Sequence, residues 1–245
     1  MTSTVPPSTS FVITGHRGAM DVEPENTLRS FRRAIADGAD ELELDVHLSR
    51  DNQMVVMHDL TVDRTTNSTG AIADKSWEEI SELDAGQGER VPQLQQIWDE
   101  FGDVDLQVEV KAPAATSAVL ELARRQPLGG QLTITSFHPE AVAEAVRTEG
   151  PWRVGLIAGK GEADKITKHL DDGLDLMAHW SLSELPLVRE IRDSGRKVTV
   201  WASRTTEQVF RALDEGWSGT TADDPGMATR ARLEWLATTG RAASA

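Results

Sequence analysis

The sequence predicts an α/β chain folded as one (β/α)8 barrel, with a short insertion between the second strand and the second helix. Three observations carry this. Eight short β-rich runs alternate with helix-like stretches. Glycines at 38, 102, 130, 150, 173, 195 and 216 each follow a helix-like stretch and precede the next β-rich run. Glycine suits the left-handed position that ends a helix, so a repeated helix, glycine, strand order points to a parallel sheet. The length, 245 residues, is typical of a single barrel. A doubly wound open sheet is the other arrangement of such units, but eight regular repeats within this length favour closure.

The expected strands are Phe11–Gly15, Glu41–Val46, Leu106–Lys111, Leu132–Ser136, Trp152–Ile157, Leu174–His179, Lys197–Trp201 and Trp217–Ala222. Apolar residues at helical spacing mark segments between them: Leu28, Phe31, Ala34 and Ile35 in Thr27–Asp37, Leu187, Val188 and Ile191 in Ser183–Asp193, and Val209, Phe210 and Leu213 in Thr206–Glu215. About 65 residues separate Glu41 from Leu106, more than a helix and its loops need. Ser49–Met54 reads as a hairpin turn, with Val55–Met57 as its return strand. Leu60–Arg90 is polar and rich in Gly and Thr, and Ser76-Trp77-Glu78-Glu79 has the form of a capping box opening a short helix. The expected plan is a single catalytic barrel over 11–239 with 60–90 as an insertion on its rim. A disordered Ser/Thr/Pro-rich tail at 1–10 and a C-terminal tail at 240–245 flank it.

Composition narrows the function. Hydrophobic residues at 39% and charged residues at 27% allow a sizeable core. Twenty-five basic against forty acidic residues give a net charge of −15. Such a surface repels nucleic acid and anionic membranes, so neither is an expected partner, and an anionic substrate would need a local cation. The absence of cysteine excludes disulfides, thiolate catalysis and Cys-ligated zinc. The first ten residues lack the basic and apolar regions of a signal peptide, and no apolar run approaches the ~20 residues of a membrane span. A cytoplasmic location is expected.

Catalytic residues of such barrels gather at the C-terminal ends of the strands. Glu43 and Asp45 alternate on one strand, so both carboxylates share the lumen face with Cα atoms roughly 6–7 Å apart. Glu109 joins them if the register of the next strand agrees. Three oxygen-donor carboxylates without cysteine suit a hard cation, Mg2+ or Ca2+. The alternative is a structural cluster neutralised by Arg17 and Lys111. Lys111 shares the face of Glu109 and would give a phosphate a second cation, while Arg17 could grip one bidentately. His16 and His58 end separate strands in this neighbourhood, and histidine can take or give a proton near neutral pH. His47 has the parity of Asp45 but lies past the expected strand end, so it is placed on the rim. His169 is placed on a solvated helix face. His138 and His179, at strand ends, are weaker candidates to line the pocket, and Trp180 and Trp201 are candidates for its floor.

Together these residues form a pattern. His16-Arg17-Gly18, Pro24-Glu25-Asn26-Thr27, Glu43-Leu44-Asp45, His58-Asp59 and Val108-Glu109-Val110-Lys111 resemble the motif set of the glycerophosphodiester phosphodiesterase family, in order and spacing. The resemblance runs from Phe11 to about Pro225, with smaller echoes at Asp63-Arg64-Thr65-Thr66, Val91–Leu94, Ser136-Phe137 and Asp223. It implies a (β/α)8 barrel, one divalent cation and hydrolysis of a glycerophosphodiester to an alcohol and glycerol 3-phosphate. It implies Glu43, Asp45 and Glu109 as metal ligands, His16 and His58 as the acid–base pair, and Arg17 and Lys111 as phosphate contacts. Glu25 and Asn26 would support the first loop. The family pattern breaks at Trp201-Ala202-Ser203-Arg204 and at Thr220-Thr221, on the far side of the expected pocket, where the alcohol would be read. A lysophospholipase D-like lipid enzyme and an inert phosphate-binding barrel remain alternatives. An amidohydrolase-like barrel would require a His-x-His pair on the first strand, which the His16-Arg17-Gly18 run lacks.

Overall fold

The computed structural model describes residues 11–168 and 173–239. The expected tails and His169 lie outside the described residues. The strands are β1 (Val12–Gly15), β2 (Glu41–Leu48), β3 (Met54–Val56), β4 (Asp105–Val110), β5 (Leu132–Ser136), β6 (Trp152–Ala158), β7 (Asp175–His179), β8 (Val198–Ser203) and β9 (Gly219–Ala222). The helices are α1 (Leu28–Ala36), α2 (Trp77–Ser81), α3 (Leu94–Phe101), α4 (Thr116–Arg125), α5 (Pro139–Arg147), α6 (Ala163–Lys168), α7 (Pro186–Asp193), α8 (Thr206–Asp214) and α9 (Pro225–Thr239). The sheet runs β1-β9-β8-β7-β6-β5-β4-β2, and β1 also pairs with β2, Thr14 opposite Glu41, so eight parallel strands close into a barrel. Among the described residues no helix is long and apolar enough to cross a membrane.

Local chemistry sets the element ends. Thr27 caps α1 by accepting from the Ser30 amide at 3.2 Å. Proline in the first turn starts α5 and α7, so α7 begins at Pro186 rather than Ser183. The punctuating glycines divide into two kinds. Gly38, Gly173, Gly195 and Gly216 take a positive φ. Gly102 and Gly130 do not; a Cβ there would lie 2.7 Å from the Trp98 carbonyl oxygen and 2.4 Å from Val104 backbone atoms, so close approach selects glycine.

Alternation along the strands builds the core outside the barrel wall. Leu42, Leu44 and Val46 of β2, with Leu106, Val108 and Val110 of β4, pack on Phe31, Leu94, Ile97 and Trp98 of α1 and α3. Leu176, Val198 and Val200 pack on Val188 and Ile191 of α7. The lumen is polar by contrast. At its base Glu41 accepts from Thr14 Oγ1 at 2.7 Å and pairs with Lys197 at 3.2 Å.

Two expectations are refined. β2 continues to Leu48 because β3 lies antiparallel on it, pairing Val46 with Val56, His47 with Val55 and Leu48 with Met54. His47 is therefore inside the strand and 3% exposed, not on the rim. The 60–90 insertion carries the capping box at Ser76 and Glu79. Despite its polar composition it also builds a small core, in which Val62, Ile72, Ile80 and Ala85 pack on Val55, Met57 and Val91.

Candidate active site

The first βα loop shapes one wall. Gly18 takes φ +84°, and a Cβ there would strike Ser30 at 2.4 Å, so the loop lies flat on α1 only with glycine. Ser30 Oγ donates to the Arg17 carbonyl at 2.9 Å and accepts from the Ala19 amide at 2.8 Å. Arg17 and Asn26 are both left-handed, with φ +48° and +56°. That turn aims the Arg17 amide at Glu43 Oε2, 2.9 Å away, and Asn26 Nδ2 at Asp45 Oδ2, 2.8 Å away. Two strained residues thus orient two carboxylates.

The register of β2 and β4 sets Asp45 opposite Glu109 and Glu43 opposite Gln107. One carboxylate oxygen from each of Glu43, Asp45 and Glu109 lies within 4.8 Å of the others, and all three residues are buried. Lys111 Nζ is 2.8 Å from Glu109 and 3.6 Å from Asp45, and Arg17 Nε is 3.4 Å from Asp45. With all three acids ionised, two cations facing them leave the cluster one negative charge in excess. Burial, then repulsion from Asp45, raises Glu43 well above the usual carboxylate range and pushes Glu109 up to about 7. Burial opposes ionisation of Asp45 too, but Lys111 and Arg17 outweigh it and hold that carboxyl low. Asp45 Oδ1 is buried without a hydrogen bond. Three carboxylate oxygens gathered this closely, with a buried Asp45 oxygen that accepts no hydrogen bond, fit a hard divalent cation.

The two histidines have matched supports. His16 Nδ1 is 2.6 Å from Asp223 Oδ1, and Arg204 Nε reaches Asp223 Oδ2 at 2.5 Å. His58 Nδ1 is 2.6 Å from Asp59 Oδ1, and Arg64 Nε reaches Asp59 Oδ2 at 2.6 Å. Burial favours the neutral form of Asp223, yet its bonds to His16 and Arg204 hold it below the usual range; the Arg64 bond does the same for Asp59. Each aspartate is therefore an ionised acceptor, and each histidine donates from Nδ1, leaving Nε2 for proton transfer. Burial also lowers His58, favouring its neutral ring. Glu25 ties the halves together, accepting from Arg17 at 2.9 Å and from Arg64 at 2.7 Å.

His16, Arg17, Glu43, His58, Gln107, Glu109, Phe137, Ile157, Met177, Trp201 and Thr221 line a cleft of about 110 Å3. Its β1–β4 side is charged, and Phe137, Ile157, Met177 and Trp201 make the other side apolar. Trp201 donates from Nε1 to the Met177 carbonyl at 3.0 Å and meets the Phe137 ring edge-on at 5.8 Å. Lys111 Nζ lies 5.6 Å from the Phe137 centroid.

Every residue singled out from the motifs falls in or directly behind this cleft. Others fall away from it. Trp180 packs outside the wall with the Arg211 guanidinium 5.3 Å from its ring, and His138 is on the surface near Glu140. His179 stands behind Trp201, with ring centroids 5.2 Å apart. Arg204, expected on the alcohol side, is committed to Asp223. Sequence reasoning gave no role to Asp59, Asp223 or Gln107, although Gln107 has the parity of Glu109 and Asp59 adjoins His58.

The model of the glycerophosphoryl diester phosphodiesterase family matches residues 16–227. A glycerophosphodiester phosphodiesterase of Caldanaerobacter subterraneus is 31% identical over 229 residues, spanning 87% of this chain and 94% of that protein. A solved phosphodiesterase of Oleispira antarctica, in complex with its product sn-glycerol-3-phosphate, superposes with a TM-score of 0.80 at 26% identity, over 91% of this chain and 96% of that one. A structure from Silicibacter pomeroyi shares the fold with a TM-score of 0.84 at 24% identity, over 94% and 95%. With a family match across most of its length and a relative aligned nearly end to end, this chain belongs to the glycerophosphoryl diester phosphodiesterase family and is a phosphodiester-hydrolysing enzyme.

Proposed function

We propose that the cleft hydrolyses glycerophosphodiesters to an alcohol and sn-glycerol 3-phosphate, with one divalent cation, Mg2+ or Ca2+, and His16 and His58 as the acid–base pair. The charge of the site carries this reading. Glu43, Asp45 and Glu109 exceed Arg17 and Lys111 by one negative charge. A divalent cation reverses that to one positive charge, matching the single negative charge of a phosphodiester. When bound, the cation would polarise a phosphoryl oxygen.

The remaining chemistry belongs to side chains. Arg17 and Lys111 flank the cluster and would hold the other phosphoryl oxygens, orienting phosphorus between the histidines. One Nε2 accepts the proton of the attacking oxygen, from water or the neighbouring glycerol hydroxyl. The other donates a proton as the phosphorus–oxygen bond to the alcohol breaks. Asp59 and Asp223 stabilise each imidazolium as it forms. Phe137, Ile157, Met177 and Trp201 shield the reacting groups from water and pack on the carbon skeleton. The relative crystallised with sn-glycerol-3-phosphate supports the product assignment.

The apolar side of the cleft, with Leu60 70% exposed near His58, favours a second reading in which the glycerol carries an acyl chain, as in a lysophospholipid, and lysophosphatidic acid is the product. One experiment separates these. Glycerophosphodiesters and lysophospholipids are incubated with the protein in EDTA, Mg2+ or Ca2+; lysophosphatidic acid is measured for the lipids and sn-glycerol 3-phosphate for the diesters. Its metal-dependent release from the water-soluble diesters is expected. Formation of lysophosphatidic acid from the lipids, with no turnover of the water-soluble diesters, transfers the assignment to the lipid reading, and turnover unchanged in excess EDTA removes the metal from it.

A further inference from the structure

We propose that His47 is a positioning residue for His58, clamping the main chain that carries it. The proposal rests on the reading of His58 as an acid–base group. The β2–β3 ladder pairs Leu48 with Met54, His47 with Val55 and Val46 with Val56, and its next rung is the Met57 amide donating to the Asp45 carbonyl at 3.0 Å. There the chain bends away from β2 and the main-chain ladder stops. The side chain of His47 supplies the following rung. Its Nε2 lies 3.1 Å from the His58 carbonyl oxygen. A carbonyl only accepts, so Nε2 carries the hydrogen, and the contact holds in the neutral tautomer.

Placement makes this more than a buried polar contact. Strand alternation sets His47 on the same side as Glu43 and Asp45, and it is 3% exposed. The metal-ligand strand thereby grips the His58 segment at two successive points, the Met57 amide and the His58 carbonyl. The Asp59 bond fixes the imidazole about its own bonds; His47 fixes the backbone from which it hangs. Both are needed to aim Nε2, because an error of about 1 Å in a catalytic group can cost on the order of 100-fold in rate. A buried histidine that never touches substrate would thus govern turnover.

The test compares His47→Leu, His47→Gln and His58→Asn at saturating metal, on a glycerophosphodiester with an unactivated leaving group. Leucine fills the site but cannot donate; glutamine carries an amide N–H that reaches the same carbonyl. His47→Leu is expected to lower kcat about 30- to 100-fold while KM and metal affinity stay within about threefold. His47→Gln is expected to recover at least about tenfold of that loss. Metal affinity is read from the metal-induced shift in melting temperature, which also reports whether each variant folds. Wild-type kcat in His47→Leu, equal losses in the Leu and Gln variants, or a loss confined to KM or metal affinity would overturn the proposal. These outcomes strike His47 alone so long as His58→Asn is crippled. Wild-type turnover in His58→Asn strikes the acid–base reading itself.

Discussion

Replacing Glu109 by Gln should make the metal-free protein more stable, by an amount that grows with pH. In the native cluster Glu109 Oε1 accepts from Lys111, but burial and Asp45 still push its pKa up to about 7. An exposed glutamate in the unfolded chain titrates near 4.3. A carboxyl whose folded pKa is raised gives its full stability below the unfolded value and loses it as pH climbs through the folded value. Each pKa unit is worth about 1.4 kcal/mol, so the loss between pH 4.5 and 7 approaches about 3 kcal/mol. In a chain of this length that is roughly 6–12 °C of melting temperature. Glutamine does not titrate, and its arrival also relieves Glu43. Melting temperatures of both proteins in EDTA, from pH 5 to pH 8, provide the assay. The gap should open in favour of Glu109→Gln as pH rises from 5 towards about 7 and level off above it, and a saturating divalent cation should reverse it. A gap independent of pH, or one that closes as pH rises, would refute the strained cluster.

The same cluster predicts that cation binding at pH 6 releases protons, because Glu43 and Glu109 must ionise to bind; calorimetry in buffers of different ionisation enthalpy reads the count, and zero release contradicts the raised carboxylates. Lys111→Met keeps the length of the side chain and removes its charge. It should lower kcat/KM by about 100-fold or more with a much smaller effect on folding of the metal-loaded protein, whereas unchanged kinetics would reduce Lys111 to a partner of Glu109. Arg204→Asn frees Asp223 and so acts on His16. Because Arg204 is largely exposed, stability should change by less than about 1 kcal/mol. The rate should drop several-fold uniformly across substrates; a changed ranking with an unchanged best rate would return Arg204 to reading the alcohol.

The fold and the chemical centre were readable because both obey short-range rules. Alternation puts Glu43 and Asp45 on one face, the register of β2 on β4 adds Glu109, and the barrel rule puts His16, His58 and Lys111 at one end of it. The rest depends on distances that sequence does not encode. Asp223 is 207 positions from His16 and meets it only because β9 pairs with β1. The contact of Arg204 with Asp223, 19 positions on, is equally silent in the sequence. His47 was misplaced because β3 lengthens β2 by two residues, turning a rim position into a buried one. In the 60–90 insertion, Val62, Ile72 and Ile80 are too sparse to announce a core, and find their partners on β3 and the adjoining segments.

The most direct test concerns His16 and His58 together. Each offers Nε2 to the cleft with Nδ1 bound to an ionised aspartate, and each proton-transfer role is typically worth 10²–10⁴-fold. His16→Asn, His58→Asn and the double variant are assayed on glycerophosphocholine and on a nitrophenyl phosphodiester, whose leaving group needs no acid. Each single variant should lose about 10²–10⁴-fold on the unactivated diester, with the double variant little worse than the poorer single one. The nitrophenyl ester should rescue only the variant that lacks the acid. Near wild-type turnover of glycerophosphocholine by both single variants would contradict the acid–base pair.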